Sequence, residues 1–192
     1  MADAPRRNPA EYRPTIRRVP VAGAADALAI IREAAAWAAA QGTTVWEPHE
    51  LPHEMFAEAA RRAELVIGFA DDVPAATMLL QTADPLYWPG EPPGAALYLH
   101  KVAVRRAYAG QSWLSRLIDF SVDEATRQGI RRLRLDTALR PKPRSLYERH
   151  GFRALVEPPL VIAGRQMIRM ERLLEPPRTA AAREPTQGAR DG

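Results

Sequence analysis

The sequence predicts an α/β (α+β) fold in which a mixed sheet of six to seven strands carries about four helices on its faces. The predicted order of elements is β-α-α-β-β-β-α-β-α-β-β. Strands in hairpin-like pairs early in the chain, followed by alternating strands and helices, indicate a mixed sheet. The length of 192 residues, 46% of them hydrophobic, fits one domain with a buried core.

Both ends of the chain have the composition of tails. Residues 1–13 carry prolines and arginines with little to bury, and residues 175–192 are rich in Pro, Ala, Arg and Gly. Such segments bury too little apolar surface to offset the entropy of ordering. We therefore expect disordered tails at 1–13 and 175–192 around one folded domain at 14–174.

The domain begins with a strand and two helices. Residues 15–20 alternate as a first strand does. Residues 26–41 carry apolar side chains at helical spacing, with Asp26 as the N-cap and Gly42 as the C-cap. A shorter helix is predicted over 52–63.

A hairpin, a loop and the most strand-like run of the sequence come next. Apolar runs at 64–70 and 75–83 flank a turn at 71–74, which indicates an antiparallel hairpin. Four prolines and two glycines in 84–95 exclude a strand interior and predict a loop. The run 95–104 is predicted to be a strand.

Two helices and three strands complete the domain. Apolar side chains on one stripe predict a helix over 114–125, before a strand at 132–135. Residues 140–151 indicate a short helix that starts at a proline. Alternation predicts two final strands at 152–156 and 165–174.

Composition excludes several kinds of chemistry. The chain has no cysteine, which excludes disulfides, cysteine-bound zinc and a thiol nucleophile. Basic residues outnumber acidic ones by 27 to 23 with both signs interspersed, so an anionic small ligand and a nucleic acid both stay open. No apolar leader or membrane-length run occurs, so we expect a soluble cytoplasmic protein with no membrane partner.

Residues 49–53 match the zinc-binding pattern HExxH letter for letter. That site requires both histidines on one face of a continuous helix, and Pro52 would break the helix. We therefore expect no metal site there.

Two later segments resemble the GCN5-related N-acetyltransferase (GNAT) superfamily. They are YLHKVAVRRAYAGQSWLSRL at 98–117 and LRLDTALRPKPRSLYERHGF at 133–152. The resemblance implies a mostly antiparallel central sheet, acetyl-CoA as the acyl-donor cosubstrate, and N-acetyltransferase activity on an amine.

The first segment is similar to the family's pyrophosphate-binding turn, where a strand ending in a pattern like LAV precedes a Q/R-x-x-G-x-G/A turn and a helix. The turn falls on 109–114, in which Gly110 and Gln111 are typical and Ser112 and Leu114 depart from the pattern. The resemblance implies cofactor binding by Val102, Ala103, Val104, Gly110, Gln111, Ser112, Trp113 and Leu114. Arg105, Arg106 and Arg140 are added as candidates because their charge could meet a phosphate.

Such a turn binds phosphate mainly through backbone N–H groups and the helix dipole, so side chains matter where they obstruct the approach. Ser112 is small and can cap the helix, Trp113 is expected to point into the core, and Leu114 adds bulk. We expect weakened CoA affinity. Arg105 and Arg106 either supply phosphate-binding charge or form a solvated loop.

The second segment contains LYERHGF, similar to the family's Y-E-x-x-G-F element. In the family this tyrosine lies beside the CoA sulfur and protonates the leaving thiolate, and Tyr147 falls on that position. A phenol stays protonated at neutral pH, which suits a general acid; packing against the sheet is the alternative. Arg140 stands where the family commonly has an asparagine that touches the cofactor, and an arginine there could meet a phosphate.

The attacking amine must lose a proton, and His100 is the first candidate for the base. Alternation predicts that Tyr98, His100 and Val102 share one face of their strand. Asp136 is a second candidate, and a purely structural role is open for both.

By resemblance, a backbone N–H near Val102 holds the oxyanion. The acceptor side is expected to include Trp46, Glu47, Glu50, His53, Tyr87 and Trp88.

Without a cysteine to carry the acetyl group, direct transfer in a ternary complex is the leading hypothesis. The partner is then a small-molecule or peptide amine, and a homodimer stays open. A catalytically idle CoA-binding or regulatory module is the alternative. Nucleic-acid binding through the arginines of 131–144 is disfavoured, since no aromatic platform accompanies them.

Overall fold

The computed structural model of the protein describes residues 8–162 and 164–175, which form eight strands and four α-helices. The strands are β1 (Pro14–Arg18), β2 (Leu65–Ala70), β3 (Val73–Gln81), β4 (Leu97–Val104), β5 (Arg132–Ala138), β6 (Arg153–Ala154), β7 (Leu160–Ile162) and β8 (Arg165–Leu173). The helices are α1 (Ala24–Ala40), α2 (His53–Arg61), α3 (Trp113–Arg127) and α4 (Pro141–Glu148). No helix in these ranges is long and apolar enough to cross a membrane.

The sheet is mixed and mostly antiparallel, which confirms the predicted fold class. Its strand order is β1-β2-β3-β4-β5-β8-β6, and β7 pairs with β8 beside this path. β4 and β5 run parallel, joined through α3, and the other pairings among the described residues are antiparallel. The strand count exceeds the predicted six to seven because the short β7 forms its own hairpin arm with β8.

Helix α1 begins earlier than predicted. Gly23 occupies the N-cap and Asp26 lies inside the first turn, so the predicted capping role of Asp26 is wrong. Its carboxylate still lies near the positive end of the helix dipole. The predicted end is confirmed, because Gly42 adopts a φ of 74° just beyond the helix.

The strand predicted at 152–156 is shorter than expected. Within this segment, Arg153 and Ala154 of β6 are the residues that pair with β8, and Val156 is fully exposed. Prolines at 158–159 follow, and a proline cannot donate a hydrogen bond to a strand ladder.

Tyr12 belongs with the core although it falls within the predicted N-terminal tail. Its ring stacks on Trp113 at 5.9 Å, and its hydroxyl donates a 2.5 Å hydrogen bond to Gln111 Oε1. The remaining tail predictions, at residues 1–7 and 176–192, lie outside the described residues.

Helices cover both faces of the sheet. α1 and α2 pack on one face over a core that includes Ile30 and Phe56. α3 and α4 pack on the opposite face, where Leu117 and Phe152 are buried.

A bulge in β4 changes the face on which its last residues lie. The register between β3 and β4 shifts between His100 and Ala103, and Lys101 has a φ of 51°. Val102 consequently packs against the core under α3, whereas His100 lies on the other face beside Tyr87. The prediction that His100 and Val102 share a face is therefore wrong, because strict alternation does not hold through a bulge.

Candidate active site

The two parallel strands separate at the centre of the sheet. Their last described pair is Leu99 with Leu135, after which β5 continues to pair with β8 from Asp136 onward. His100 and Asp136 are the first residues beyond that pair. We call the space between the separating strands the β4–β5 opening.

His100 lies between two carboxylates. Its Nε2 is 3.3 Å from Asp84 Oδ2 and its Nδ1 is 3.3 Å from Asp136 Oδ1. The three side chains are 15%, 6% and 11% exposed for His100, Asp84 and Asp136. Burial alone lowers the pKa of His100, but the contacts with Asp136 and Asp84 outweigh it and raise the pKa to about 9.

The ligand atoms of Asp84, His100 and Asp136 lie within 4.8 Å of one another, which is close enough for a shared cation. However, the carboxylates face different ring nitrogens, and one imidazole offers a single nitrogen to a given ion. A protonated imidazole between two carboxylates therefore fits this arrangement better than a metal centre.

Further polar and aromatic groups surround this cluster. The Tyr87 ring centroid is 6.2 Å from that of His100, and burial together with the charges of Asp136 and Asp84 raises the pKa of Tyr87 to about 12. Lys101 Nζ lies 5.5 Å from the Trp46 ring centroid, and burial lowers the pKa of Lys101.

Glu50 and Arg165 form an ion pair in the same region. Desolvation opposes the charge on Glu50, but the backbone N–H of Glu47 and the Arg165 guanidinium lower its pKa. Charges of Glu50 and Arg165 also act on Tyr87 and Lys101. The predicted acceptor residues Trp46, Glu50 and Tyr87 are thus brought together.

Three other predicted acceptor residues lie elsewhere. Glu47 and His53 are exposed on the surface, and Trp88 is buried beneath the Arg134 guanidinium at 4.2 Å. The HExxH match is divided, because a 3₁₀ turn at Pro48–Glu50 ends before Pro52 and α2 begins at His53. Its two histidines do not share a helix, as the sequence predicts.

Tyr147 approaches the opening from the α4 side. Its ring is half-buried and packs edge-on against Phe152 at 6.0 Å. Burial, and next the negative charge of Asp136, raise the pKa of Tyr147 well above its usual value. The phenol therefore stays protonated over the range in which an enzyme works.

The predicted pyrophosphate turn has an open backbone at the start of α3. Gly110 has a φ of 79°, and a Cβ there would have no described heavy atom within 4 Å. The first intrahelical bond runs from the N–H of Arg116 to the Ser112 carbonyl. The preceding N–H groups of α3 therefore fit an anion such as a diphosphate.

The side chains of Ser112, Trp113 and Leu114 have different surroundings at this turn. Ser112 does occupy the N-cap, but with a φ of 60° and no capping hydrogen bond in the described part of the chain. Trp113 is 1% exposed, which confirms that it points into the core, so only its backbone can contact a ligand. Leu114 is half-buried and packs against the same core.

The three arginines predicted to meet phosphate have different surroundings. Arg105 contacts Glu33 Oε2 at 3.0 Å, and Arg106 stacks on the Trp37 ring at 4.0 Å, so both are anchored on α1 rather than forming a solvated loop. Arg140 is exposed at the N-cap position of α4. Phosphate binding by these side chains stays a prediction.

A surface cavity of about 450 Å³ lies outside this site. Its lining residues are Arg144, Glu148, Gly151, Phe152, Arg153 and Ala154. Although α4 contributes to it, Tyr147 does not line it, and it contains none of the groups around His100.

Sequence reasoning missed Asp84, Lys101 and Arg165. Asp84 lies in a proline-rich loop with no motif around it, and only the folded chain brings it to His100. Lys101 carried a signal in retrospect, because it is one of only two lysines in the chain and falls in the strongest strand.

Comparison with known proteins identifies the family. The model of the Acetyltransferase (GNAT) family matches residues 31–152, which span both the β4–β5 opening and Tyr147. The chain belongs to the GNAT acetyltransferase family. No curated protein sequence gives a significant match.

Solved structures agree with this fold. A GNAT-family acetyltransferase from Listeria monocytogenes is 18% identical, with a TM-score of 0.69 over 84% of this chain and 95% of that one. The PaiA N-acetyltransferase from Thermoplasma acidophilum, solved in complex with coenzyme A, is 14% identical, with a TM-score of 0.66 over 84% and 99%. The ribosomal-protein-S18-alanine N-acetyltransferase from Escherichia coli is 19% identical, with a TM-score of 0.61 over 84% and 94%.

Proposed function

We propose that the protein transfers the acetyl group of acetyl-CoA directly to a primary amine within a ternary complex. One observation carries the proposal: Asp136 at the β4–β5 opening contacts His100 on one face of the sheet, and its charge also acts on the phenol of Tyr147, which packs on the opposite face. Amide formation from a thioester needs a proton donor for sulfur and a proton acceptor for nitrogen, and these groups supply both.

Acetyl-CoA is the acyl donor, and the start of α3 is its proposed diphosphate site. Backbone N–H groups, the helix dipole and the open surface at Gly110 support this assignment. The nearby strand end at Val102, Ala103 and Val104 would direct the thioester toward the opening. A backbone N–H near Val102 would hold the carbonyl oxygen as negative charge develops on it.

Tyr147 is the proposed general acid. Its raised pKa keeps the hydroxyl protonated and able to donate a hydrogen bond, and then the proton, to the sulfur as the C–S bond breaks. The acceptor amine would approach from the opposite face, between Trp46, Tyr87 and the carboxylates. His100 belongs to this acceptor side, where the nitrogen loses its proton.

A catalytically idle CoA-binding module is the second candidate. Ser112 and Leu114 at the diphosphate turn favour it, whereas a retained Tyr147 facing a charged cluster would have no use in it. Nucleic-acid binding is supported less: Arg134 is 6% exposed and pairs with Glu171 and Glu91, and Arg144 pairs with Glu148. A homodimer and a cytoplasmic location stay predictions.

Thiol release from acetyl-CoA, measured with a panel of primary amines, tests the proposal. Tyr147→Phe should lower kcat about 100-fold and leave CoA affinity within a few-fold of wild type, because only the hydroxyl is lost. Tyr98→Phe is the matched control, since it removes a buried hydroxyl that accepts a 3.3 Å hydrogen bond from Arg134. CoA binding without thiol release from any amine would favour the idle module.

A further inference from the structure

We infer that Asp84 and His100 are positioning residues that hold the Asp136 carboxylate as the proton acceptor for the attacking amine. The inference rests on the proposed function and deepens it. It moves the base from the histidine to a carboxylate, and it assigns a role to a loop residue.

The surroundings of the two ring nitrogens decide whether His100 can accept a proton. Each nitrogen of His100 faces a different carboxylate at 3.3 Å. An imidazole at ion-pair distance from two carboxylates is stabilised as the doubly protonated cation, which has no lone pair on either nitrogen. It therefore has no free lone pair for the proton of an amine, and a carboxylate must take that role.

Asp84 is buried, and its need for a compensating charge holds the His100 ring in place. Asp84 Oδ1 accepts a 3.1 Å hydrogen bond from the Tyr87 N–H, whereas Oδ2 is buried with no well-aligned hydrogen-bond donor among the described residues. A buried carboxylate is costly unless a cation compensates it, and His100 at 3.3 Å supplies that charge. Asp84 thus fixes the ring, and the ring in turn fixes Asp136.

The position of Asp136 at the β4–β5 opening makes it the carboxylate that meets the amine. It is the first β5 residue beyond the last pair with β4, it is 11% exposed, and its charge acts on both His100 and Tyr147. His100 engages it through Oδ1, which leaves Oδ2 for the substrate. The net charge of the two carboxylates and one imidazolium is −1, which also favours approach of a cationic amine.

The proton balance of the step is complete. The amine arrives as a cation and first releases one proton to solvent. The neutral amine then forms an N–C bond to the acetyl carbon and gives a second proton to Asp136 Oδ2. The C–S bond breaks, and the sulfur takes the proton of Tyr147. Solvent then returns the proton from Asp136 to the phenolate, so both groups are restored and an amide and a free thiol leave.

The pH dependence of the reaction separates this role from that of a histidine base. Besides Asp84 and Asp136, Tyr87 in the loop faces the His100 ring at 6.2 Å. The titratable or charged groups that act in turn on Tyr87 or Asp136 are Lys101 on β4, Glu50 before α2, Arg165 on β8 and Tyr147 on α4. A required imidazolium makes kcat fall as pH rises through about 9, whereas a histidine base makes kcat rise through the same range.

The test uses the most active amine of the panel and four variants of the full chain. Asp136→Asn should lower kcat at least 100-fold, and Asp84→Asn and His100→Gln about 10-fold each, with CoA affinity unchanged. Asp72→Asn, in the exposed β2–β3 turn, is the matched control and should keep wild-type kcat. Comparing the pH profiles of wild type and His100→Gln cancels the ionisation of the amine itself.

Opposite outcomes would overturn the inference. They are wild-type kcat in Asp84→Asn, or a rise of kcat through pH 9 that disappears in His100→Gln. A stoichiometric metal whose removal abolishes turnover would also contradict it. If wild type releases no thiol with any amine, the proposed function fails first and the inference with it, so the two failures are distinguishable.

Discussion

Nδ1 of His100 lies 3.3 Å from Oδ1 of Asp136, and the two residues are the first beyond the point where β4 and β5 stop pairing. This pair thus lies where β4 and β5 separate. The two parallel strands position it, and the bulge at Lys101 turns the following residues of β4 to the other face.

Protein stability should depend on pH through His100. Its pKa is raised from 6.5 to about 9 on folding, so the stabilisation is fully present below about pH 6.5 and is lost as pH rises through about 9. The shift corresponds to about 3 kcal/mol of unfolding free energy. Urea denaturation across this range should show the loss in wild type and not in His100→Gln, whereas the exposed control His53→Gln should behave as wild type.

Gly68→Ala should destabilise the fold by about 1–3 kcal/mol. A Cβ at this position in β2 would lie 2.7 Å from Cζ3 of Trp113, whose ring is fixed by the core. In a Trp113→Phe background the same change should cost less, because the smaller ring leaves room. Equal costs in the two backgrounds, measured by thermal or urea unfolding, would contradict this packing.

Ser112→Gly should stabilise the protein by up to about 1 kcal/mol, because Ser112 holds a left-handed φ of 60° that glycine adopts without strain. It should also tighten CoA binding several-fold, since the change removes a side chain at the diphosphate turn. Calorimetric titration with CoA checks the second effect. Ser115 lies in the first turn of α3, where glycine is unfavourable. Ser115→Gly should therefore destabilise the protein, and it serves as the control.

Arg105→Gln should reduce stability slightly and change CoA affinity little. Its guanidinium is already held by Glu33 and by the Pro74 carbonyl at 2.8 Å, so it is not available for phosphate without breaking those contacts. Arg140→Gln, at the exposed start of α4, is the comparison variant and should weaken CoA binding more. A larger loss of CoA affinity in Arg105→Gln than in Arg140→Gln would reverse this assignment.

The order of helices and strands could be predicted because it depends on local periodicity. The stripe of α3, the alternation of β5 and the proline-rich loop at 84–95 are properties of neighbouring residues. Tyr147 was assigned by resemblance, through a short motif that begins at the end of α4 and continues to Phe152. These features require no knowledge of distant contacts.

The remaining features depend on the folded chain. The bulge at Lys101 is a property of the pairing of β4 with β3, so alternation assigned Val102 to the wrong face. The contact of Asp84 with His100 joins a loop to a strand, and no local sequence pattern predicts it. Tyr12 packs on Trp113, which is distant in sequence. Composition alone therefore assigned Tyr12 to a tail.

Counting the two products of the reaction tests direct acetyl transfer. Purified full-length protein is mixed with acetyl-CoA and a primary amine, and acetylated amine and free thiol are quantified by mass spectrometry and thiol titration. We predict equal amounts of the two products, no acetylated protein when the amine is omitted, and about 100-fold slower formation of both products in Tyr147→Phe. CoA binding accompanied by no acetylated amine, or an acetylated protein formed without amine, would contradict it.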